Sequence, residues 1–378
     1  MIYFDNSATT HKKPDSVIKA VNLGLTKLSS NPGRSGHKLS ILLENEIFET
    51  RQLIHNMFNN DLVENVVFTQ NCTDALNMAI LGSVKKGGHI ILTANDHNSV
   101  IRPVYFLEKQ KLITKSTVFP NKDGKIEIED IKKEINKNTY LIIANFISNV
   151  DGSEIDVNSL GKLCREKGIL LLIDGAQAGG HKKIDMKKTN INILSLAPHK
   201  GFYSPQGIGV LILNNCEINP IRFGGTGTES TNPNQPNLMP EKLESGTLAS
   251  QNILGFKEGL KFVDKNFNII NNKIEILTKL LIEKLSEIKE IKLYCGSNKN
   301  GVFSFNINGI DSQTVAEILN EKYDIYVRAG LHCAPLKHQS LGTINTGTVR
   351  VSLCYFNEFY EIDYFVKAIK EIIIDLKK

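Results

Sequence analysis

The strongest constraint on the fold of this chain is an alternation that runs from residue 63 to about residue 213. Short runs rich in Val, Ile and Leu give way there to stretches with apolar residues at helical spacing. Strands covered on both faces read as near-continuous apolar runs, and strands alternating with helices build βαβ units around a largely parallel sheet. The runs fall at 63–68, 90–92, 140–144, 169–173, 191–196 and 208–213, and most are followed by Gly, Asn, Asp or Ser. The fold class is therefore α/β with a mostly parallel central sheet, and its ligands are expected at the carboxyl ends of the strands.

After a polar, Gly- and Pro-rich segment at 224–240, helical spacing resumes over about 252–288, so a long or bent helix leads out of the sheet. Beyond it, strands at 301–307, 325–328 and 348–353, with helices near 312–321 and 358–376, predict a smaller α+β domain. A helix over 16–27 suits packing against either part. At 378 residues and 41% hydrophobic, the chain is long enough to bury a large core.

A net charge of +5 arises from 45 basic and 40 acidic side chains mixed along the chain, so no basic face favours nucleic acid as a partner. The sequence has no uncharged apolar stretch of membrane-spanning length, and MIYFDNSATT lacks a signal-peptide layout. The expectation is a soluble, cytoplasmic protein without a membrane partner. Cysteines 72, 164, 216, 295, 333 and 354 are dispersed without a CxxC pair, so most are expected to be small buried hydrophobes rather than a disulfide framework.

The apolar run at 169–173 leads directly into Asp174, and Gln177 follows three residues later. An Asp so placed either caps the next turn or contacts a ligand. One strand on, His199 and Lys200 occupy the equivalent loop. Together, a carboxylate at one strand end and a lysine at its neighbour answer the needs of pyridoxal 5′-phosphate (PLP). The amine forms a Schiff base, and the carboxylate keeps the pyridine nitrogen protonated.

Gln177 suits the ring's phenolate oxygen. The segment 70–74 opens a helix, and its amides with the Thr73 hydroxyl suit a phosphate, although alone the pattern reads as an ordinary N-cap. His97 follows the next strand, placed either to stack on a planar ring or to hydrogen-bond structurally. Near the C-terminus, Arg350 suits a bidentate grip on a carboxylate, and Cys333, beside Arg328 and His332, suits a thiolate nucleophile. His332, Cys333 and His338 lack a fourth ligand nearby, so no metal is expected.

Several segments resemble the cysteine desulfurases of the class V aminotransferase fold. They are Asp5-Asn-Ser-Ala8-Thr9-Thr10, Asp174-Gly-Ala-Gln177, His199-Lys200 and Arg328-Ala-Gly-Leu-His-Cys333-Ala-Pro, in family order across nearly the whole chain. Asn31-Pro-Gly-Arg34-Ser-Gly-His37, Ser148-Asn149-Val-Asp-Gly152 and Gly224-Gly-Thr-Gly227 add to the match. The likeness is to the shorter SufS-like members.

The resemblance implies a fold type I PLP-dependent transferase, active as a homodimer. Its large domain would span 14–255, and its small domain 256–378 with the N-terminal residues 1–13, the small domain carrying the cysteine loop. Carried over, Lys200 is the cofactor-bearing lysine, Asp174 the pyridinium partner, Gln177 the phenolate contact and His97 the stacking residue. Thr73 and His199 contact the phosphate, and Thr247 reaches the cofactor of the partner subunit. Asn149, Arg350, Ala8 and Arg328 fall at substrate-binding positions. Cys333 forms the persulfide.

The implied reaction turns L-cysteine into L-alanine and hands the sulfur to an acceptor protein or small thiol serving iron-sulfur or thio-cofactor assembly. Three departures touch the site's edges. Ala197-Pro198 stands where Ser-Gly or Ala-Gly is common, Leu248-Ala249-Ser250 follows Thr247 where Asn is often found, and Ser7 replaces an Ala. The alternatives are a selenocysteine lyase or another class V PLP lyase or aminotransferase, for which Cys333 is the discriminating residue, and a non-catalytic member of the same fold. A nucleotide-binding Rossmann protein is disfavoured, because no G-x-G-x-x-G follows the first βα strand.

Overall fold

The structure is a computed structural model that describes residues 1–33, 35–121, 124–295 and 298–376. Arg34 of the 31–37 motif lies outside the described residues. The chain opens with a short strand β1 (Ile2–Tyr3) and two helices, α1 (Asp15–Thr26) and α2 (Lys38–Phe58), and then enters the alternating region. That region runs β2 (Val66–Thr69), α3 (Cys72–Gly82), β3 (Gly88–Thr93), α4 (Asn98–Lys109), β4 (Ile113–Val118), α5 (Ile128–Glu134) and β5 (Thr139–Asn145). It continues through α6 (Val157–Lys167), β6 (Leu170–Asp174), α7 (Met186–Thr189), β7 (Ile193–Leu196) and β8 (Gly209–Leu213).

These strands form one 7-stranded sheet in the order β2-β8-β7-β6-β5-β3-β4. Only β8 runs antiparallel to its neighbours, so the sheet is mostly parallel as expected. Its central strands are buried along their length, which is why they read as unbroken apolar runs. One apolar core lies on the face covered by α2, α6 and the helix that follows the sheet, and another on the face covered by α3 and α4.

Two local expectations change. The run at 63–68 begins as a 3-10 turn at Val63–Asn65, and pairing starts only at Val66. The edge strand β4 (ITKSTV) goes unassigned in the sequence reading, because only its two ends are buried and it lacks an apolar run.

Helix boundaries follow capping chemistry. Asp156 accepts the amides of Asn158 and Ser159 at 3.1 Å each to start α6, and Gly168 at φ +64° ends it.

The helix α8 (Ser250–Ser286) is continuous for 37 residues. Its first turns pack Ile253, Phe256 and Leu260 in the sheet core, and its last turns pack Leu277, Leu281 and Leu285 in a third core. Helix α1 lies along α8. Beyond α8 come β9 (Ile291–Tyr294), β10 (Val302–Ile307), α9 (Ser312–Tyr323), β11 (Ile325–Tyr326), β12 (Arg328–Gly330), α10 (Pro335–Leu341), β13 (Thr348–Ser352) and α11 (Phe359–Leu376).

A 4-stranded antiparallel sheet has the order β12-β13-β10-β9. The strand expected at 325–328 divides in two, since β11 pairs with β1 while β12 pairs with β13. The N-terminal residues thus form a separate 2-stranded parallel sheet with β11, beside the 4-stranded one. Phe4 is buried in the third core edge-on to Phe365, and Asp5 bridges to Ser352.

Candidate active site

The carboxyl ends of β5, β6 and β7 open onto a cavity of about 220 Å³ lined by Ala8, Thr73, His97, Asn149, Asp174, Gln177, His199, Lys200, Arg328 and Arg350. These ten residues, expected at the site from sequence, come from eight separate stretches of the chain. Ser7, Cys72 and Ser99 also line the cavity.

Asp174 is the last residue of β6 and is 2% exposed. Its Oδ1 accepts the Ala176 amide at 2.9 Å and lies 3.9 Å from the Cys72 thiol, which donates to it. It therefore both braces the turn and faces the cavity. Burial pushes its carboxyl up, while the Ala176 amide and Lys200 pull it down.

Lys200 sits in the loop after β7, and β6 and β7 pair Asp174 with Ser195. Burial pushes the lysine down, opposed by Cys72 and Asp174, and Arg350 and Arg328 add to the depression. Such an amine is a more available nucleophile than an exposed one.

The lysine loop is tightly built. The Lys200 amide donates to Ala197 O at 3.0 Å, and Ser204 N donates to Pro198 O at 3.1 Å. Gly201 is required there, since a Cβ would strike the Gly179 carbonyl oxygen. The N-terminal segment clamps the same loop. The His199 carbonyl accepts Thr10 N and Thr10 Oγ1 at 3.1 Å each and Lys13 Nζ at 3.4 Å. Burial, then Lys200, then Lys13 push the His199 imidazole down to about 4, and its buried Nδ1 has no hydrogen-bond partner among the described residues.

On the opposite wall, Asn71 caps α3 by accepting the Asp74 amide at 2.9 Å, so the Thr73 hydroxyl is not used for capping. Thr73 Oγ1 lies 2.7 Å from Ser99 Oγ, which lies 2.9 Å from His97 Nδ1. His97 caps α4 by accepting the Ser99 amide at 3.1 Å, so the structural role and the cavity position coexist. Burial first, then Lys200 and three arginines, push its imidazole down to about 4. Gln177 Nε2 donates to the Ser7 carbonyl at 3.0 Å.

The third wall carries the cations. Arg350 on β13 and Arg328 on β12 stand directly opposite each other, and Arg350 is 1% exposed. Like charges so placed repel. Asp5 offsets one of them, accepting from Arg350 Nη2 at 2.5 Å, while Arg350 Nη1 donates to Asn149 O at 3.1 Å and its buried Nε has no partner among the described residues. The two guanidiniums bring more positive charge than Asp5 neutralises, a setting suited to an anionic ligand.

Cys333 stands at the threshold rather than in the cavity lining. It lies in an adjoining groove that shares Thr73, His97 and Ser99 with the cavity, and Arg328 Nη2 donates to its Sγ at 3.7 Å. Thr247 is exposed and outside the cavity of the single chain. Its segment is anchored by Glu244, which pairs with Arg51 at 2.6 Å where both are nearly buried.

Sequence reasoning gave no role to Asp5, Cys72 or Ser99. Asp5 meets Arg350 across 345 positions, and Cys72 meets Asp174 across 102, so no local pattern announces either contact. Among the described residues, no group of three or more His, Cys, Asp or Glu side chains is gathered to hold a metal. No helix among the described residues is long and apolar enough to cross a membrane.

The Aminotransferase class-V family profile matches residues 2–365. A probable cysteine desulfurase of Pyrococcus abyssi is 32% identical over 389 residues, covering 100% of this chain and 95% of that protein. A protein of the same name from Borreliella burgdorferi is 32% identical over 395 residues, covering 100% and 92%. Among solved structures, the apo cysteine desulfurase of Thermococcus onnurineus superposes with a TM-score of 0.92 at 30% identity, over 99% of this chain and 95% of that one. With a cavity of this composition at the strand ends and full-length likeness in both sequence and fold, the chain belongs to the class V aminotransferase family, beside proteins named as cysteine desulfurases.

Proposed function

We propose that this protein is a PLP-dependent cysteine desulfurase that converts L-cysteine to L-alanine and carries the sulfur as a persulfide on Cys333. The observation that carries the reading is a half-buried thiol, hydrogen-bonded by Arg328, at the mouth of a cavity lined by both Lys200 and Asp174. An aminotransferase has no use for such a thiol, whereas sulfur abstraction requires a nucleophile there.

The residues present fit PLP. His199 Nδ1 and Asn149 Oδ1 are buried without hydrogen-bond partners among the described residues, and the donor set offers a lysine, a buried carboxylate, hydroxyls and a helix N-terminus. Lys200 would bind the cofactor, Asp174 would hold its pyridinium, and Gln177 would donate to the ring oxygen. Thr73, His199 and the α3 amides would seat the phosphate, with Thr247 of the second subunit completing it. His97, kept neutral by burial, would stack on the ring. When bound, PLP supplies an electron sink for charge developing at the substrate Cα.

Around it the chain's own groups divide the work. Arg350 and Arg328 would hold the substrate carboxylate, Asn149 and Ala8 would close that end, and the Lys200 amine would carry the proton at Cα. Cys333 Sγ attacks the substrate sulfur, forming the S–S bond as the C–S bond breaks. One L-cysteine and one enzyme thiol thus give one L-alanine and one enzyme persulfide, with no outside oxidant. The persulfide then passes to an acceptor thiol serving iron-sulfur or thio-cofactor assembly.

We also propose a cytoplasmic homodimer, with domains over 14–255 and 256–378 and residues 1–13 in the latter. Phe223 and Leu238, each at least 70% exposed, and Ile41, Leu42 and Phe48 of α2 support an apolar interface. The test is sulfide and alanine release from L-cysteine with dithiothreitol and added PLP. Equal amounts are expected, abolished by Lys200→Ala and by Cys333→Ser, from a protein with twice the chain mass by light scattering. Turnover that survives Cys333→Ser would instead indicate a lyase or a selenocysteine enzyme.

A further inference from the structure

The loop that carries Cys333 adopts a conformation that its own residues disfavour. His332 and Cys333, two consecutive non-glycine residues, have φ of +48° and +57°. Side chains rarely adopt this region, and a segment held in it persists only where its surroundings leave it no alternative.

The surroundings do this from three directions. Asn98 N at the start of α4 donates to Cys333 O at 2.8 Å. Asn149 Nδ2 donates to His332 O at 2.8 Å. The third is an ion pair. Lys337, the third residue of α10 and 0% exposed at its side chain, meets Asp151 Oδ2 at 2.6 Å, with Asp151 7% exposed. Ser153 ties into the pair, with its Oγ donating to Asp151 Oδ1 at 2.8 Å and accepting from Lys337 Nζ at 3.4 Å. Asp151 is itself fixed from the small domain, its carbonyl accepting Asn298 Nδ2 at 2.9 Å.

A lysine in a fully buried position is costly unless paired, and removing one partner leaves the other charge stranded. The pair joins α10, which begins two residues after Cys333, to the turn after β5 that presents Asn149 to the cavity. Neither residue lines the cavity.

We propose that Lys337 and Asp151 are positioning residues whose buried ion pair locks the Cys333 loop against the β5 turn. The thiol is thereby held at the cavity mouth in the free enzyme, without an acceptor protein to order it. The inference rests on the desulfurase reading for its kinetic consequence and on the geometry alone for its structural one, and the experiment separates the two.

Lys337→Met and Asp151→Asn are compared with the parent holoenzyme, with Lys337→Arg as the conservative rescue. Three quantities are read on each: hydrogen exchange of the 331–343 amides, the rate of Cys333 alkylation by iodoacetamide, and kcat and KM for sulfide release per bound PLP. Exchange over 331–343 is expected to rise about fivefold or more, with the alkylation rate changed and exchange over 193–213 unaltered. The kcat is expected to fall on the order of tenfold to a hundredfold, because a small misplacement of a reacting group costs that much. KM and the cofactor's visible absorbance are expected to hold, and Lys337→Arg is expected to recover most of the loss.

Parent-like exchange and kcat in the variants would overturn the proposal, as would a loss of sulfide release accounted for wholly by loss of bound PLP, with kcat per bound PLP unchanged. If Lys337→Met does not fold, Asp151→Asn, which keeps the side-chain shape, decides by the same readouts. If the parent releases no sulfide from cysteine, the desulfurase reading fails, while exchange and alkylation still decide whether the lock exists.

Discussion

Asp174 and Lys200 illustrate how burial sets chemistry. Each is pushed toward its neutral form by desolvation and pulled back toward its charged form by the other. A substitution that keeps the shape of Asp174 but removes its charge is therefore expected to leave the fold intact and disable the site. For Asp174→Asn, kcat/KM should fall about 10²-fold or more, the magnitude typical of removing one electrostatic partner of a reacting system. Equilibrium titration with PLP followed by absorbance should show weaker binding. Unchanged kinetics would remove Asp174 from the mechanism.

This pair was legible in the sequence because Asp174 ends one apolar strand and Lys200 lies in the loop just after the next, and the register of β6 with β7 then makes the strand ends neighbours. The partner of Arg350 was not legible. Asp5 reaches it only because β1 pairs with β11 and the segment after β1 bridges to β13.

Helix α8 does more than connect. Its Gly259 faces the Phe202 carbonyl so closely that a Cβ would strike that oxygen, and Phe202 lies two residues after Lys200. The helix is thus seated on the backbone of the lysine loop, reinforced by the edge-on contact of Phe202 with Phe256. Gly259→Ala improves intrinsic helix propensity, so an exposed site would gain stability. Here the clash is expected to dominate, costing about 1–3 kcal/mol. Urea denaturation of the variant should show a lower midpoint together with reduced turnover, and a stabilised, fully active variant would show that the contact does not constrain the loop.

The helical spacing of α8 announced its length, but not which of its glycines touches the active-site loop. Helix α2 received no assignment from sequence. It carries apolar residues on both faces, with Leu43, Ile47 and Ile54 buried and Ile41, Leu42 and Phe48 exposed, so its pattern has no clean polar side.

The whole chain has a defined response to acid. Six of its nine histidines are shifted downward, chiefly by burial. His97, His181, His199 and His338 fall to about 4 and His332 to about 2, from an ordinary 6.5. Between pH 6.5 and about 4 the unfolded chain takes up these protons and the folded chain does not, so stability falls as pH falls.

Asp96, pushed up to about 8 by burial, and Asp174 act in the opposite sense. They hold protons in the folded state that the unfolded chain has released above about pH 4, and their contribution is lost as pH rises. Six groups outweigh two. The melting temperature is expected to drop steadily from pH 7 to pH 5, well before ordinary carboxylates titrate. A flat profile over that interval would show that the imidazoles gain compensating partners.

What the sequence by itself determined is the part of this protein written locally. The parallel sheet follows from its apolar runs. The order of Asp174, Lys200 and Cys333 along the chain, and the chemistry those side chains permit, follow from residue type and position at strand ends.

The tertiary structure alone decided which distant groups meet. It set Arg328 opposite Arg350, joined Asp5 to Arg350, linked Thr73 through Ser99 to His97, and buried Lys337 on Asp151. The physical reason is that burial and pairing are properties of closed contacts. A strand's period is visible in any few consecutive residues, whereas a salt bridge between a loop and a helix that are far apart in the chain leaves no periodic trace in either.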